Sequence, residues 1–194
     1  MMNKIIVNAS ALRSGGATTI LKQFVKELPD DDVDYLVFVD ESVKLNYTQR
    51  NIQLVHVKVH SFVKRFYWDL IGLDNWIRRH KVNPIAAISL QNTNFWLHKL
   101  CPNYIYYHQS IPLYKHKWSA FRKNERRLWF YKYIYPFFIK LLINSRTEVF
   151  VQLEFIKEGF SRKFKFDKDK ILLAFPTIEI PEKCEEGVVL IDDT

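Results

Sequence analysis

Short β-branched runs alternate with amphipathic helical segments along most of this chain, and that order limits its fold more than any other feature. Lys4–Ala9, Asp34–Val39, Ile52–Val57, Ile85–Leu90, Tyr104–Tyr107, Glu148–Gln152 and Ile171–Phe175 read as strands, most of them apolar on both faces. After Ser14-Gly15-Gly16, the residues Ala17, Ile20, Leu21, Phe24 and Leu28 recur at helical spacing until Pro29 closes the segment. Phe66, Leu70, Leu73 and Ile77 mark one face of a helix over Val63–His80, and Leu153–Phe164 reads as another. Lys115–Leu142 is expected to be helical, with a break or kink at Pro136. Strands of this kind, alternating with helices, call for a sheet covered on both sides. The expected fold is a Rossmann-like three-layer α/β/α domain with a mostly parallel sheet of about seven strands. It covers residues 1–177, with 178–194 as a tail or the start of an interdomain linker.

In such sheets ligands sit beyond the carboxyl ends of the strands. That rule selects the loops 10–16, 40–50, 58–63, 91–95, 108–116 and 176–178. The first holds Arg13 and the Gly15-Gly16 pair, whose backbone N–H groups at a helix N-terminus can face an anion. It is not GxGxxG, no Walker lysine follows, and an ordinary β–α turn would have the same spacing. Gln91 and Asn92 follow the fourth strand in a polar amide cluster suited either to sugar or phosphate recognition or to capping a turn. His108 follows the fifth strand, where an imidazole can hydrogen-bond a ligand, work as an acid or base, or serve the structure alone. Asp32-Val33-Asp34 and Asp167-Lys168-Asp169 have DxD spacing but precede strands, so they read as solvated turns.

Composition narrows the partners. Lys and Arg outnumber Asp and Glu by 29 to 21 in 194 residues, a balance that favours nucleic acid, an anionic membrane or a phosphorylated substrate. Cys101 and Cys184 form no CxxC pair, so neither a disulfide framework nor a zinc cluster is expected. No signal or membrane-spanning segment is legible, and the expected location is the cytoplasm. Aromatics reach 15% and concentrate in 115–142, where eight basic residues face Glu125 alone. Trp118, Arg122, Lys123, Arg126, Arg127 and Trp129 are the residues expected to meet an anionic bilayer, since aromatics suit the headgroup zone and cations the lipid charge. A single-strand nucleic-acid surface or a core helix with a basic face has the same composition.

An ordered set of short segments carries a family resemblance. The Gly-Gly turn, Arg65-Phe66-Tyr67-Trp68-Asp69, Ser89-Leu90-Gln91-Asn92, His108, Val151-Gln152-Leu153-Glu154-Phe155-Ile156-Lys157 and Lys170-Ile171-Leu172-Leu173-Ala174-Phe175-Pro176 occur in sequence. Together they resemble the N-terminal, acceptor-side half of GT-B glycosyltransferases of family four, which build bacterial capsule and O-antigen polysaccharides. The resemblance implies a retaining sugar transfer from a nucleotide-sugar donor, without metal or other cofactor, to a saccharide or lipid-linked saccharide. It implies that Gly15 and Gly16 approach the donor diphosphate, His108 contacts the transferred sugar, and Arg13, Gln91 and Asn92 line the acceptor side. The donor-gripping C-terminal domain of that family is not recognisable here, so this chain alone is expected to be inactive. The expected location is the inner face of the cytoplasmic membrane, with no nucleic-acid partner. The alternative is a basic, non-catalytic Rossmann-like module that binds nucleic acid.

Overall fold

The computed structural model describes residues 3–174. Seven strands form one sheet in the order β3-β2-β1-β4-β5-β6-β7: β1 Asn3–Ala9, β2 Val33–Asp40, β3 Ile52–Val57, β4 Pro84–Ser89, β5 Asn103–Tyr107, β6 Thr147–Val151 and β7 Ile171–Leu173. Every pairing is parallel, so the sheet is wholly rather than mostly parallel. The order reverses between β1 and β4, the switch point of a doubly wound Rossmann-like domain. β1 lies between β2 and β4, and Ile6, Val7, Asn8 and Ala9 are fully buried. That burial is why the strand needs side chains without charge on both of its faces.

The helices are unequally shared between the faces. On one side α1 (Gly16–Glu27) buries Leu21 and Val25 against β1, β2 and β4, and ends where Leu28 turns extended ahead of Pro29. On the other side α3 (Leu73–Arg79) packs under β1, β2 and β4, while α5 (Tyr135–Leu142) and α6 (Glu154–Phe164) cover β5, β6 and β7. Among the described residues, no helix covers the α1 side of β5–β7. The expected two-sided cover is therefore complete only over the first half of the sheet.

The helix expected over Val63–His80 is α2 (Phe62–Tyr67) running through a π-helical turn (Trp68–Gly72) into α3. Ser61 caps its start, accepting from the Lys64 N–H at 3.2 Å. The helix expected over Lys115–Leu142 is shorter than predicted. Residues 115–125 are irregular, and helix begins only at α4 (Arg126–Trp129). The charged residues there repeat no apolar face, and the Glu125 carboxylate instead accepts from the Ser119 N–H at 2.7 Å and pairs with Arg122 at 3.1 Å. The expected break at Pro136 is a second π-helical turn, Phe130–Ile134, that leads into α5. The wider turn removes the need for the N–H that proline lacks and makes room for its ring. Phe175 and the loop 176–178 lie outside the described residues.

Gly72 shows how tightly the first π-helical turn is packed. A Cβ there would meet the Trp68 ring at 2.7 Å, and that ring is held against Phe38 with centroids 5.6 Å apart. Ordinary helix propensity favours alanine over glycine by about 1 kcal/mol, but overpacking a held ring costs about 1–3 kcal/mol. Gly72→Ala is therefore expected to lower the urea unfolding midpoint. An unchanged or higher midpoint would show that the Trp68 ring yields without cost.

Candidate functional site

Three loops converge at the carboxyl edge beside the β1/β4 switch point: the one after β1, the one after β4 and the start of the one after β5. The loop after β4 is unusual because all of Gln91, Asn92, Thr93, Asn94 and Phe95 are buried. Buried polar loops persist only where their groups are bonded, and here a buried carboxylate takes two of them, Gln91 and Thr93, while neighbouring strands and helices bond the rest. Asp69, on the first π-helical turn, accepts from Asn8 Nδ2 at 2.8 Å and Gln91 Nε2 at 2.7 Å through Oδ1. Its Oδ2 accepts from Thr93 Oγ1 at 3.4 Å and lies 3.7 Å from Arg65 Nε, four residues earlier on the same helix. Arg65 Nη2 in turn donates to the Gln91 carbonyl at 2.7 Å and to Thr93 Oγ1 at 3.0 Å. Tyr135 Oη donates to the same Gln91 carbonyl at 3.1 Å.

Gln91 also ties the first two loops together. Its Oε1 accepts from the Ala11 N–H at 3.0 Å, while Ser10 Oγ donates to Asn8 Oδ1 at 2.8 Å. Both ends of the Gln91 amide are thus occupied inside the protein. Gln91 holds the site in place rather than lining its surface.

Asn92 adopts the left-handed backbone, φ 67°, which asparagine tolerates better than most residues. Its Oδ1 accepts the His108 backbone N–H at 2.7 Å, which fixes the Nδ2 end as the donor. That Nδ2 lies 3.1 Å from His108 Nε2, so Nε2 is the acceptor and the proton of the neutral ring sits on Nδ1. His108 Nδ1 is buried and makes no hydrogen bond of good geometry among the described residues. Burial pushes the His108 pKa down to about 4, the Tyr106 carbonyl opposing and Arg65 assisting. The ring is therefore a neutral N–H donor of fixed tautomer.

Gly15 and Gly16 cap α1 on the neighbouring corner of the same edge, and both are exposed. Gly15 has φ +61°, where an L side chain is strained, while Gly16 has open space around its missing Cβ. Arg13 is exposed but turned toward the ends of β2 and β3. Its Nη2 donates to the His60 carbonyl at 3.2 Å, and its Nε lies 4.0 Å from the buried carboxylate of Asp40. The structure thus brings Gln91, Asn92 and His108 together and leaves Arg13 in a separate cluster with Asp40 and His60. Arg65, Asp69, Asn8 and Tyr135 received no role from the sequence. The i, i+4 spacing of Arg65 and Asp69 inside an otherwise apolar helix face was the available signal.

Of the residues expected to meet a membrane, Arg122, Lys123, Arg126 and Arg127 are exposed, whereas Trp118 and Trp129 are half-buried. Val63 and Tyr67 on α2, Phe137 and Leu141 on α5, and Phe121, which is 93% exposed, are among the exposed apolar side chains. Phe62 and Phe66 stack edge-on against Phe138 and join the two helices into one ridge. Among the described residues no helix is long and apolar enough to cross a membrane.

Two buried groups of this edge, Asp69 and His108, titrate in opposite senses. Burial pushes the Asp69 pKa up to about 6 against the pull of Arg65 and its hydrogen bonds, so between the unfolded value of about 4 and this value the folded state holds the extra proton. Stability then falls as pH rises through that window. His108 holds fewer protons when folded, from about pH 4 up to an unfolded value of about 6.5, so its contribution rises with pH. Each slope can reach about 1.4 kcal/mol per pH unit. In His108→Gln the falling slope of Asp69 stands alone, so the variant should lose stability relative to wild type as pH rises from 4 to 6. Urea unfolding of both proteins across that range checks this, and parallel curves would exclude a buried neutral His108.

Compared with known proteins, the chain matches no protein-family model, and no curated protein shows significant similarity to it.

Proposed function

We propose that this chain is the acceptor-side half of a sugar-nucleotide-dependent glycosyltransferase that works on a saccharide or lipid-linked saccharide of bacterial surface polysaccharide synthesis. The observation that carries this reading is His108. It sits at the carboxyl edge of a doubly wound sheet, neutral at physiological pH, with a buried Nδ1 that finds no hydrogen-bond partner of good geometry among the described residues, the Tyr106 carbonyl acting on it only weakly. A donor of this kind suits a sugar hydroxyl or a phosphate oxygen. It does not suit general-base work, because Nε2 is already engaged by Asn92 and a pKa near 4 leaves little proton affinity.

In this reading Asn92 orients His108, and the Asp69 network fixes the loop that carries Asn92. The exposed N-terminus of α1 at Gly15 and Gly16 faces the anionic part of the donor. The grip on the nucleotide belongs to a second Rossmann-like domain, as the family resemblance implies, and the transfer retains anomeric configuration.

Two measurements test the reading. Amide NMR titration of the chain with acceptor oligosaccharides is expected to shift His108, Asn92 and Gly16. His108→Ala should weaken that binding by roughly 10-fold or more, the scale of one buried hydrogen bond. Saturating shifts with single-stranded nucleic acid and none with saccharides would replace this reading with the nucleic-acid module.

The membrane part of the proposal rests on the aromatic ridge of α2 and α5 beside the exposed cations of 122–127. Cosedimentation with vesicles containing phosphatidylserine is expected to weaken in high salt. It should fall by at least ~10-fold when Arg122, Lys123, Arg126 and Arg127 become Ser, since each cation near such a surface contributes about 1 kcal/mol. Equal binding to neutral vesicles, or none to either, would overturn it.

A further inference from the structure

Lys132 is a cation drawn into the protein without an acid to meet it. It lies on the second π-helical turn and is only 9% exposed, yet it makes no ion pair and no hydrogen bond among the described residues. A lysine stem can be buried cheaply, but an ammonium brought this far in needs something in place of its lost hydration. What the chain supplies is the Trp118 ring, whose centroid lies 5.9 Å from Nζ, the outer limit of a cation–π contact.

The surroundings add positive charge. The 3₁₀ turn Ile111–Leu113 touches both the π-helical turn and α6, and a Cβ at Gly159 of α6 would meet Leu113 at 3.0 Å, so the three elements are closely packed. That packing brings Lys163, in the last turn of α6, within electrostatic reach of Lys132. Burial first, and then the Lys163 charge, push the Lys132 pKa down. Lys163 is exposed and also has no ion pair among the described residues. The acids of the bordering segments are already engaged. Glu125 accepts from the Ser119 N–H at 2.7 Å and pairs with Arg122, while Glu158 pairs with Lys168, on which Glu154 also acts. The exposed Lys115 and Lys117 add two more cations on the approach to Trp118, whose ring His116 meets edge-on at 5.0 Å.

We propose that Lys132 and Lys163, with Trp118 beside them, form a binding site for a phosphate monoester or diphosphate group. The proposal does not rest on the sugar-transfer reading, and it uses none of the four cations of the membrane proposal. The anion class follows from the donors. Two ammonium groups are compact point charges that lack the planar fork suited to a carboxylate. They suit the several oxygens and nearly double charge of a phosphate monoester, which neutralises both cations at once and gives Lys132 the acceptor it lacks. Such a group can belong to a small solute or to the headgroup of a lipid such as phosphatidic acid.

Inorganic diphosphate is the first probe. Titrated into the full chain, it is expected to shift the Trp118 indole N–H and the Lys132 and Lys163 amide signals to saturation. Lys163→Ala, at an exposed position, should weaken this binding by roughly 10-fold or more, the scale of one charge-assisted hydrogen bond. Lys132→Met, which keeps the length of the stem, should do at least as much in a chain whose spectrum keeps its dispersion, and if that variant does not fold, Lys163→Ala decides alone. Lys140→Ala removes an exposed charge from α5 and should leave binding unchanged. Vesicles then name the source of the phosphate. A lipid headgroup is indicated where Lys163→Ala lowers cosedimentation with phosphatidic acid vesicles but not with phosphatidylserine vesicles, and a soluble phosphate where it does not distinguish them; the site stands in both cases. Three results would overturn the proposal: no saturable shift with diphosphate, acetate binding as tightly as diphosphate, or a Lys163→Ala chain that binds diphosphate no more weakly than the Lys140→Ala chain.

Discussion

The Asp69 carboxylate is the group on which the arrangement of this edge depends. It is fully enclosed and is met by Asn8 from β1, by Gln91 and Thr93 from the loop after β4, and by Arg65 from its own helix. A buried carboxylate left alone costs several kcal/mol, so the surrounding donors have little freedom to leave. The π-helical turn over Trp68–Gly72 belongs to the same constraint. It lies where Asp69 must reach β1 while Trp68 stays packed, tilted, against Phe38. Its extra residue re-aims successive side chains relative to a regular helix, which is how such turns come to lie beside functional groups.

From that carboxylate the order passes outward in steps. Asp69 and Arg65 hold Gln91 and Thr93, and Tyr135 closes on the Gln91 carbonyl from α5. The loop so fixed puts Asn92 into the left-handed region, and Asn92 holds both the backbone and the ring of His108. Groups at this edge therefore fall into two kinds. Those of the network have their hydrogen bonds inside the protein and set position. The Nδ1 proton of His108 has no bond of good geometry among the described residues. The high aromatic content serves both ends of the chain of contacts. Tyr135 is buried in the network, and the Phe62, Phe66 and Phe138 rings lock α2 to α5, the two helices that bring Arg65 and Tyr135 together.

Much of this was legible before the structure. The inner strands were readable because burial on both faces demands unbroken β-branched and aromatic runs, and even the half-exposed edge strand Ile52–Val57 matches its expected bounds residue for residue. The positions of Asn92, His108 and the Gly-Gly pair at the carboxyl edge followed from the alternation of elements. What could not be read has physical causes. The π-helical turns leave no mark in a 3.6-residue pattern that continues on either side of them. Residues 115–125 looked helical because aromatics and cations are good helix neighbours in composition, yet no apolar face repeats there and Glu125 bonds locally. The sequence left Gln91 open between sugar or phosphate recognition and capping a turn, and its burial became visible only with Asp69 and Ala11 in place. The pairing of Arg13 with Asp40 and His60 joins three loops distant in sequence, and no spacing rule connects them.

The character of His108 follows from the same arrangement and decides which chemistry the edge can offer. A catalytic acid or base must exchange its proton near the working pH, which needs an accessible ring and a pKa close to neutrality. His108 has neither, because burial disfavours its cation and Asn92 occupies the nitrogen that would accept. A fixed neutral donor costs no reorganisation when a ligand oxygen arrives, and in a site this enclosed its hydrogen bond is stronger than in water. Proton transfer, where a reaction at this edge requires it, has to come from the ligand or from a group outside the network. In the proposed reading the protein's own contribution is recognition and orientation, supplied by one N–H whose direction is traced, contact by contact, back to a carboxylate buried on a neighbouring helix.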